Sequence, residues 1–83
     1  MKLKAELFKA KDMIDYTESY FIIYSVEGED VAFNCMSCED ADASEMVGYA
    51  KNGGGIRLAD NKNAPRRADM HEPELLETFW IEE

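Results

Sequence analysis

Hydrophobic and polar positions are patterned most clearly in the middle of the chain. Residues 18–26 are dense in β-branched and aromatic side chains, a composition typical of a central strand. The polar run Glu27-Gly28-Glu29-Asp30 follows, and residues 31–35 form a second apolar run. Two such runs joined by a short turn that contains glycine predict an antiparallel β-hairpin.

The N-terminal segment fits two patterns. Leu3, Ala5 and Leu7 alternate with polar residues as in a strand. The spacing of a helix face is also present, in Leu3, Leu7, Ala10 and Ile14. We favour a strand over residues 3–10, which would extend the sheet that the hairpin begins.

A helix is predicted over residues 39–51. The acidic residues at its start suit the positive end of a helix dipole, and Asn52-Gly53 at its end is typical of a left-handed C-terminal cap. A short strand is predicted next, at residues 56–58. The polar run over residues 60–65 predicts an exposed loop.

The C-terminal segment again fits two patterns. Pro73 suits the first position of a helix. Four apolar residues would share one face of that helix: Leu75, Leu76, Phe79 and Trp80. A terminal strand at residues 78–81 is the alternative. Both interpretations place Trp80 in the core.

Together these elements predict a single α+β domain over residues 1–83. We expect an antiparallel sheet of three to four strands with one or two helices packed on one face. A chain of 83 residues buries only about 60–65% of the surface that its unfolded state exposes, so its core must be compact.

The cellular compartment is inferred from apolar runs and cysteines. No apolar run approaches the roughly 18 residues that a bilayer crossing needs, and the first residues lack the apolar stretch of a signal peptide. Two cysteines at this close spacing are too few for the disulfide framework of a small secreted domain. We therefore expect a cytoplasmic protein.

The charge of the chain is strongly acidic and unevenly distributed. The formal net charge is −9, and the segment from residue 12 to residue 50 holds ten acidic residues without one lysine or arginine. Because like charges repel, direct binding to a nucleic-acid backbone or to an anionic membrane is disfavoured. A macromolecular partner is expected to present a basic protein surface.

Cys35 and Cys38 form a C-x-x-C pair, the main candidate for chemistry. A structural zinc site needs four ligands, and His71 is the only histidine that could join the two thiols. The carboxylates that follow Cys38 oppose thiolate formation. We expect structural cysteines, no bound metal and no cofactor, and keep a metal or thiol module as an alternative. His71 has no motif around it that supplies a nucleophile, so we expect no catalytic residues and no enzymatic activity.

Seven acidic residues remain as a candidate partner-binding surface: Asp12, Asp15, Glu18, Glu39, Asp40, Asp42 and Glu45. A run of charge is most simply a solvated face, which would leave a small non-catalytic interaction subunit. Alternatively, these carboxylates imitate the charge of a nucleic-acid backbone and bind the basic surface of a nucleic-acid-binding protein. Small, acidic and built from a hairpin followed by an acidic helix, the chain resembles in type the small inhibitors of phages and plasmids, such as anti-CRISPR and anti-restriction proteins. The resemblance implies inhibition by nucleic-acid mimicry.

Overall fold

The alternating apolar residues of the N-terminal half build an antiparallel sheet. The computed structural model describes residues 2–12, 17–53, 57–58 and 70–82. In chain order these residues form β1 (Lys2–Asp12), β2 (Glu18–Val26), β3 (Glu29–Ser37), the helix α1 (Ala43–Lys51), β4 (Arg57–Leu58) and β5 (Met70–Glu82). All neighbouring strands are antiparallel, in the spatial order β4-β3-β2-β1-β5. The predicted α+β class is confirmed: the described residues form four long strands, the two-residue β4 and one helix.

The predicted hairpin is confirmed in β2 and β3. Its turn is Glu27-Gly28, which is tighter than the four-residue turn that the sequence indicated. Both turn residues have a positive φ, 51° at Glu27 and 84° at Gly28, as in the type I′ turns that match the twist of paired strands. Glycine is favoured at the second position because side chains rarely adopt this backbone region. The strand predicted over residues 3–10 is also confirmed, as part of β1.

One face of the sheet packs against α1. Alternate residues of β1 point to this face, where Ala5 lies opposite Tyr24 of β2. The helix contributes its two buried residues, Met46 and Ala50. The resulting helix-side cluster comprises Leu3, Ala5, Leu7, Ile22, Tyr24, Ala32, Met46, Ala50 and Phe79.

The opposite face carries a second buried cluster. Its members are Phe8, Ala10, Phe21, Ile23, Phe33 and Met70. Strand β2 contributes to both clusters and is therefore buried on both faces. This double burial explains the nearly continuous apolar run of β2, because a strand with one solvated face would alternate between apolar and polar residues.

The predicted C-terminal helix is wrong, because residues 70–82 form β5 at the edge of the sheet. The alternative interpretation, a terminal strand at residues 78–81, falls inside β5. Phe79 pairs with Ala5 of β1 and is buried in the helix-side cluster. Pro73 is tolerated because an edge strand does not need every backbone N–H for its ladder.

The predicted burial of Trp80 is also wrong. Its side chain is 56% exposed, and the residue lies opposite Lys4 on the face away from α1. Helical spacing grouped Trp80 with Leu76 and Phe79. In a strand, successive side chains point to opposite faces, so Phe79 takes the buried side and Trp80 takes the other.

The helix begins four residues later than predicted. Asp42 is its N-cap, and Oδ1 of Asp42 accepts a hydrogen bond of 2.8 Å from the backbone N–H of Glu45. Glu39 and Asp40 therefore lie in the turn before the helix and not in its first turn.

The remaining elements agree with the sequence where they are described. Asn52 is the C-cap of α1, and Gly53 follows with a φ of 76°. The strand predicted at residues 56–58 is observed as β4, although Ile56 lies outside the described residues, as does the predicted loop over residues 60–65. The described segments contain no helix with the length and hydrophobicity that a membrane crossing requires.

Candidate acidic interface

Three strand ends meet at one end of the sheet. Lys11, near the end of β1, pairs with Glu18, the first residue of β2. Ser19 pairs with Ser37, the last residue of β3. One step further, the backbone N–H of Cys38 donates a hydrogen bond of 3.1 Å to the carbonyl oxygen of Glu18. The turn between β3 and α1 is therefore fastened beside the start of β2.

Backbone hydrogen bonds hold this turn and bring its carboxylates to the same end of the molecule. The backbone N–H of Glu39 donates to Ser37 Oγ at 3.2 Å, and the backbone N–H of Asp40 donates to the Ser37 carbonyl at 3.0 Å. We call the resulting surface the acidic end. It comprises five exposed residues: Glu18, Glu39, Asp40, Asp42 and Glu45.

Two carboxylates of the acidic end have local structural roles. Asp42 caps α1, as described above. Glu18 Oε2 lies 3.4 Å from Lys9 Nζ and raises the pKa of that ammonium above its ordinary value. Because both side chains of this pair are largely exposed, the pair contributes little to stability. Within the described residues, Glu39, Asp40 and Glu45 have no ion-pair partner.

The structure thus brings together five of the seven acidic residues that the sequence singled out. Asp12 ends β1 opposite Met70, so its backbone lies at the same end of the sheet, but its side chain lies outside the described part of the structure. Asp15 lies outside the described residues. The sequence identified these acids by the absence of nearby lysine or arginine, and it did not anticipate that Lys9 reaches Glu18 across the β1–β2 ladder.

The two cysteines occupy different environments. Cys35 packs against the second cluster, whereas Cys38 lies in the turn after β3; both residues are partly buried, and neither forms a disulfide. Burial raises the pKa of the Cys38 thiol, and Glu18 adds to this effect, while Lys9 and a hydrogen bond with Tyr20 oppose it. The direction agrees with the sequence argument, but its causes are burial and Glu18, not the carboxylates that follow Cys38 in the chain.

The same end of the sheet holds the third candidate metal ligand. His71, which the sequence left as the third candidate ligand, lies on β5 opposite Lys11, with Nε2 3.9 Å from Glu72 Oε1. Among the described residues, no group of three or more His, Cys, Asp or Glu side chains is placed to hold a metal ion.

Sequence reasoning missed a second exposed surface, on β5. Three large apolar side chains of this strand are exposed: Leu75 by 52%, Leu76 by 40% and Trp80 by 56%. Leu76 also lines a groove of about 420 Å³ between β5 and α1, together with Val47 and Lys51. No alternation of apolar and polar residues indicates this surface in the sequence, because Phe79, Trp80 and Ile81 are three consecutive apolar residues.

The acidic end and β5 are both surfaces suited to binding. Carboxylates held by turns and a helix cap can meet basic side chains of a partner with little reorganisation. An exposed edge strand can pair with an extended chain. Comparison of the chain with protein-family models, with curated proteins and with solved structures gives no match.

Proposed function

We propose that the protein is a small acidic inhibitor that binds the basic surface of a nucleic-acid-binding protein in the cytoplasm. In this role it acts as a nucleic-acid mimic of the kind that phages and mobile elements produce against CRISPR or restriction systems. It needs no catalytic residue, no cofactor, no contact with nucleic acid and no membrane. The observation that carries the proposal is the convergence of the five exposed carboxylates of the acidic end.

The geometry of this convergence favours mimicry over a dispersed solvating charge. The acids come from the start of β2, the turn after β3 and the start of α1, which the 3.1 Å hydrogen bond between Cys38 and Glu18 ties together. Duplex DNA presents about one charge per 1.7 Å of its axis. A compact group of carboxylates is a better imitation of that density than the same charges spread over the whole surface.

A second candidate function is a non-catalytic interaction subunit whose acids only solvate the protein. Strand β5 favours it, because this exposed edge strand carries large apolar side chains on both sides, Leu76 beside α1 and Trp80 on the opposite face, that a partner could cover. In that case the partner contacts β5, and the acidic end contributes no affinity.

The proposal is tested by reversing two charges of the acidic end, Glu39→Lys with Asp40→Lys. Asp42 is left unchanged because it caps α1. The binding partners are purified CRISPR effector complexes and restriction enzymes, with binding measured by surface plasmon resonance and inhibition by DNA cleavage. We expect the wild-type protein to bind at least one of them, to compete with duplex DNA and to weaken steeply with salt. The double variant should bind more than about tenfold more weakly, mainly through slower association.

The matched control reverses two charges at the other end of the sheet, Glu27→Lys with Glu29→Lys. Strand β2 separates the two ends by about 26 Å at a rise of about 3.3 Å per residue. Both variants change the net charge equally, so a general electrostatic effect would weaken both. Affinity that is equal in the two variants, or that does not change with salt, would contradict the mimic.

A further inference from the structure

Strand β5 forms one edge of the sheet. It is 13 residues long, and β1 is the only strand that pairs with it among the described residues. An edge strand directs part of its backbone N–H and C=O groups away from the sheet, where another chain can pair with them. Natural proteins usually block such an edge with proline, bulges or charges, or keep the strand short.

The first half of β5 carries these protective features. Its pairing with β1 is shifted twice, between Leu7 and Phe8 and between Lys9 and Lys11. Glu72 has a φ of 51°, in the left-handed region, and the next residue is Pro73. These irregularities interrupt a continuous row of outward-pointing backbone groups.

The second half of β5, residues 77–82, has no proline, no bulge and no residue with a positive φ, and its two charged residues, Glu77 and Glu82, stand at its ends. Its six residues pair with residues 2–7 of β1 without a shift in register. Trp80 lies in the middle of this segment with more than half of its side chain exposed, and Lys2 Nζ lies 5.7 Å from the centre of its ring. An aromatic side chain that is already held in place loses little conformational entropy when a partner covers it.

We propose that residues 77–82 are a docking edge for an extended, basic segment of a partner protein, which adds a further strand beside β5. The proposal rests on the proposed function, since it names the way in which the basic partner is held. The acidic end attracts the partner, and β5 supplies the backbone pairing and the apolar contact.

Charge determines which occupant suits this edge. The described residues of β5 include four glutamates and no lysine or arginine. A docked strand lies about 4.8 Å from β5. Lys2 Nζ already lies over the ring of Trp80, so the basic residues of the partner belong opposite Glu77 and Glu82, and an apolar residue belongs opposite Trp80. A second copy of the chain suits this edge less well, because its net charge is also −9.

Side-chain register gives the docked segment a defined pattern. Glu77 and Glu82 stand at the two ends of the regular segment and, being an odd number of residues apart, point to opposite faces. Trp80 lies between them on the face away from α1. A segment with a basic residue near each end and an apolar residue opposite Trp80 matches all three positions.

The test uses a capped synthetic peptide of about eight residues, the length of an ordinary strand, with two lysines five residues apart, like Glu77 and Glu82, and valine at the positions between them. Two analogues serve as probes of mechanism: one with glutamate for lysine, and one with N-methylated backbone amides that cannot pair. Binding to the full chain is measured by calorimetry, and the contacted residues are mapped by amide hydrogen exchange. We expect the lysine peptide to slow exchange within residues 77–82 and both analogues to fail to bind.

Trp80→Ala should weaken binding of the lysine peptide by about tenfold. Tyr49→Ala is the matched control, because Tyr49 is a similarly exposed aromatic residue, at 49%, on α1. Equal loss in the two variants, binding of the N-methylated peptide, or exchange slowed only at the acidic end would overturn the docking edge. So would a dimer that protects the same amides without any peptide.

The same peptide separates this proposal from the proposed function. Glu39→Lys with Asp40→Lys should leave the amides of residues 77–82 protected, because those charges are not part of the docking edge. If that variant keeps the peptide at β5 while the wild-type chain binds no CRISPR or restriction protein, the docking edge stands and the mimic fails. If the wild-type chain inhibits such a protein but does not bind the peptide, the mimicry proposal is supported and the docking-edge proposal is wrong.

Discussion

Tyr24 and Asn34 place two polar side chains in the core on the α1 face of the sheet. Both residues are buried, and Asn34 Nδ2 donates a hydrogen bond of 3.0 Å to the Tyr24 hydroxyl oxygen. Tyr24 lies opposite Ala32, so Asn34 is its diagonal neighbour on the adjacent strand. A slip of one residue between β2 and β3 would separate the two groups and bury each without the other. This bond therefore favours the observed register of the hairpin.

The same environment makes the stability of the fold sensitive to high pH. Burial raises the pKa of Tyr24 to about 12, an effect that the hydrogen bond from Asn34 partly opposes. An unfolded tyrosine ionises near pH 10. The unfolded chain therefore releases the Tyr24 proton first, and the free energy of unfolding should fall as the pH rises from about 10 to about 12. Below pH 10 this contribution is fully present.

We expect this loss to total about 2–3 kcal/mol, at about 1.4 kcal/mol per pKa unit. Urea unfolding measured between pH 9 and pH 12 checks it, with Tyr24→Phe as the variant that lacks the ionisable group. The difference between wild type and variant isolates Tyr24 from other groups that titrate in this range. Parallel curves for the two proteins would show that Tyr24 does not cause the loss.

At the scale of elements, the sequence predicted best what is local. The β2–β3 hairpin was predictable because its two strands are adjacent in the chain and its turn contains glycine. The partner of β5 is β1, at the opposite end of the sequence, and no local pattern contains that pairing. Leu76, Phe79 and Trp80 fit a helical period by themselves. Only the pairing of Phe79 with Ala5 reveals the period of a strand.

Because residues 70–82 form a strand and not a helix, two adjacent aromatic residues of β5 should contribute very differently to the free energy of unfolding. Phe79 is 8% exposed and Trp80 is 56% exposed. Phe79→Ala should cost about 3–5 kcal/mol of unfolding free energy because it leaves a cavity in the helix-side cluster. Trp80→Ala should cost less than about 1 kcal/mol, since an exposed position loses little packing. Urea unfolding of both variants checks this difference.

Fluorescence of the native protein gives an independent measure, because Trp80 is the single tryptophan. We expect an emission maximum close to that of tryptophan in water. A strongly blue-shifted maximum in the isolated protein, or a large loss of stability in Trp80→Ala, would show that Trp80 is buried in the core.

At the scale of the whole molecule, the sequence identified the residues of the acidic end but not the structural roles that two of them have. Charge counting identified Glu18 and Asp42 with the others because no lysine or arginine lies near them in the chain. In the folded protein, Lys9 of the neighbouring strand forms an ion pair with Glu18, and Asp42 is the N-cap of α1. Both roles depend on contacts that form only after the strands and the helix are in place. Glu39, Asp40 and Glu45 consequently remain the carboxylates most available to a partner.

Gathering like charges at one end of a protein with a net charge of −9 opposes folding, and salt should relieve this repulsion. Raising the salt from about 0.01 M to about 1 M shortens the Debye length from about 30 Å to about 3 Å, so we expect Tm to rise. Neutralising two acids of the acidic end, Glu39→Gln with Asp40→Asn, should raise Tm at low salt by a few degrees and flatten its dependence on salt. The control, Glu27→Gln with Glu29→Gln, removes as much charge at the hairpin turn, where Lys2 and Lys4 line the same groove as Glu27 and offset its charge, and should shift Tm less. Equal shifts in the two variants would show that the acids of the acidic end create no local field, and the mimicry proposed for them would lose its physical basis.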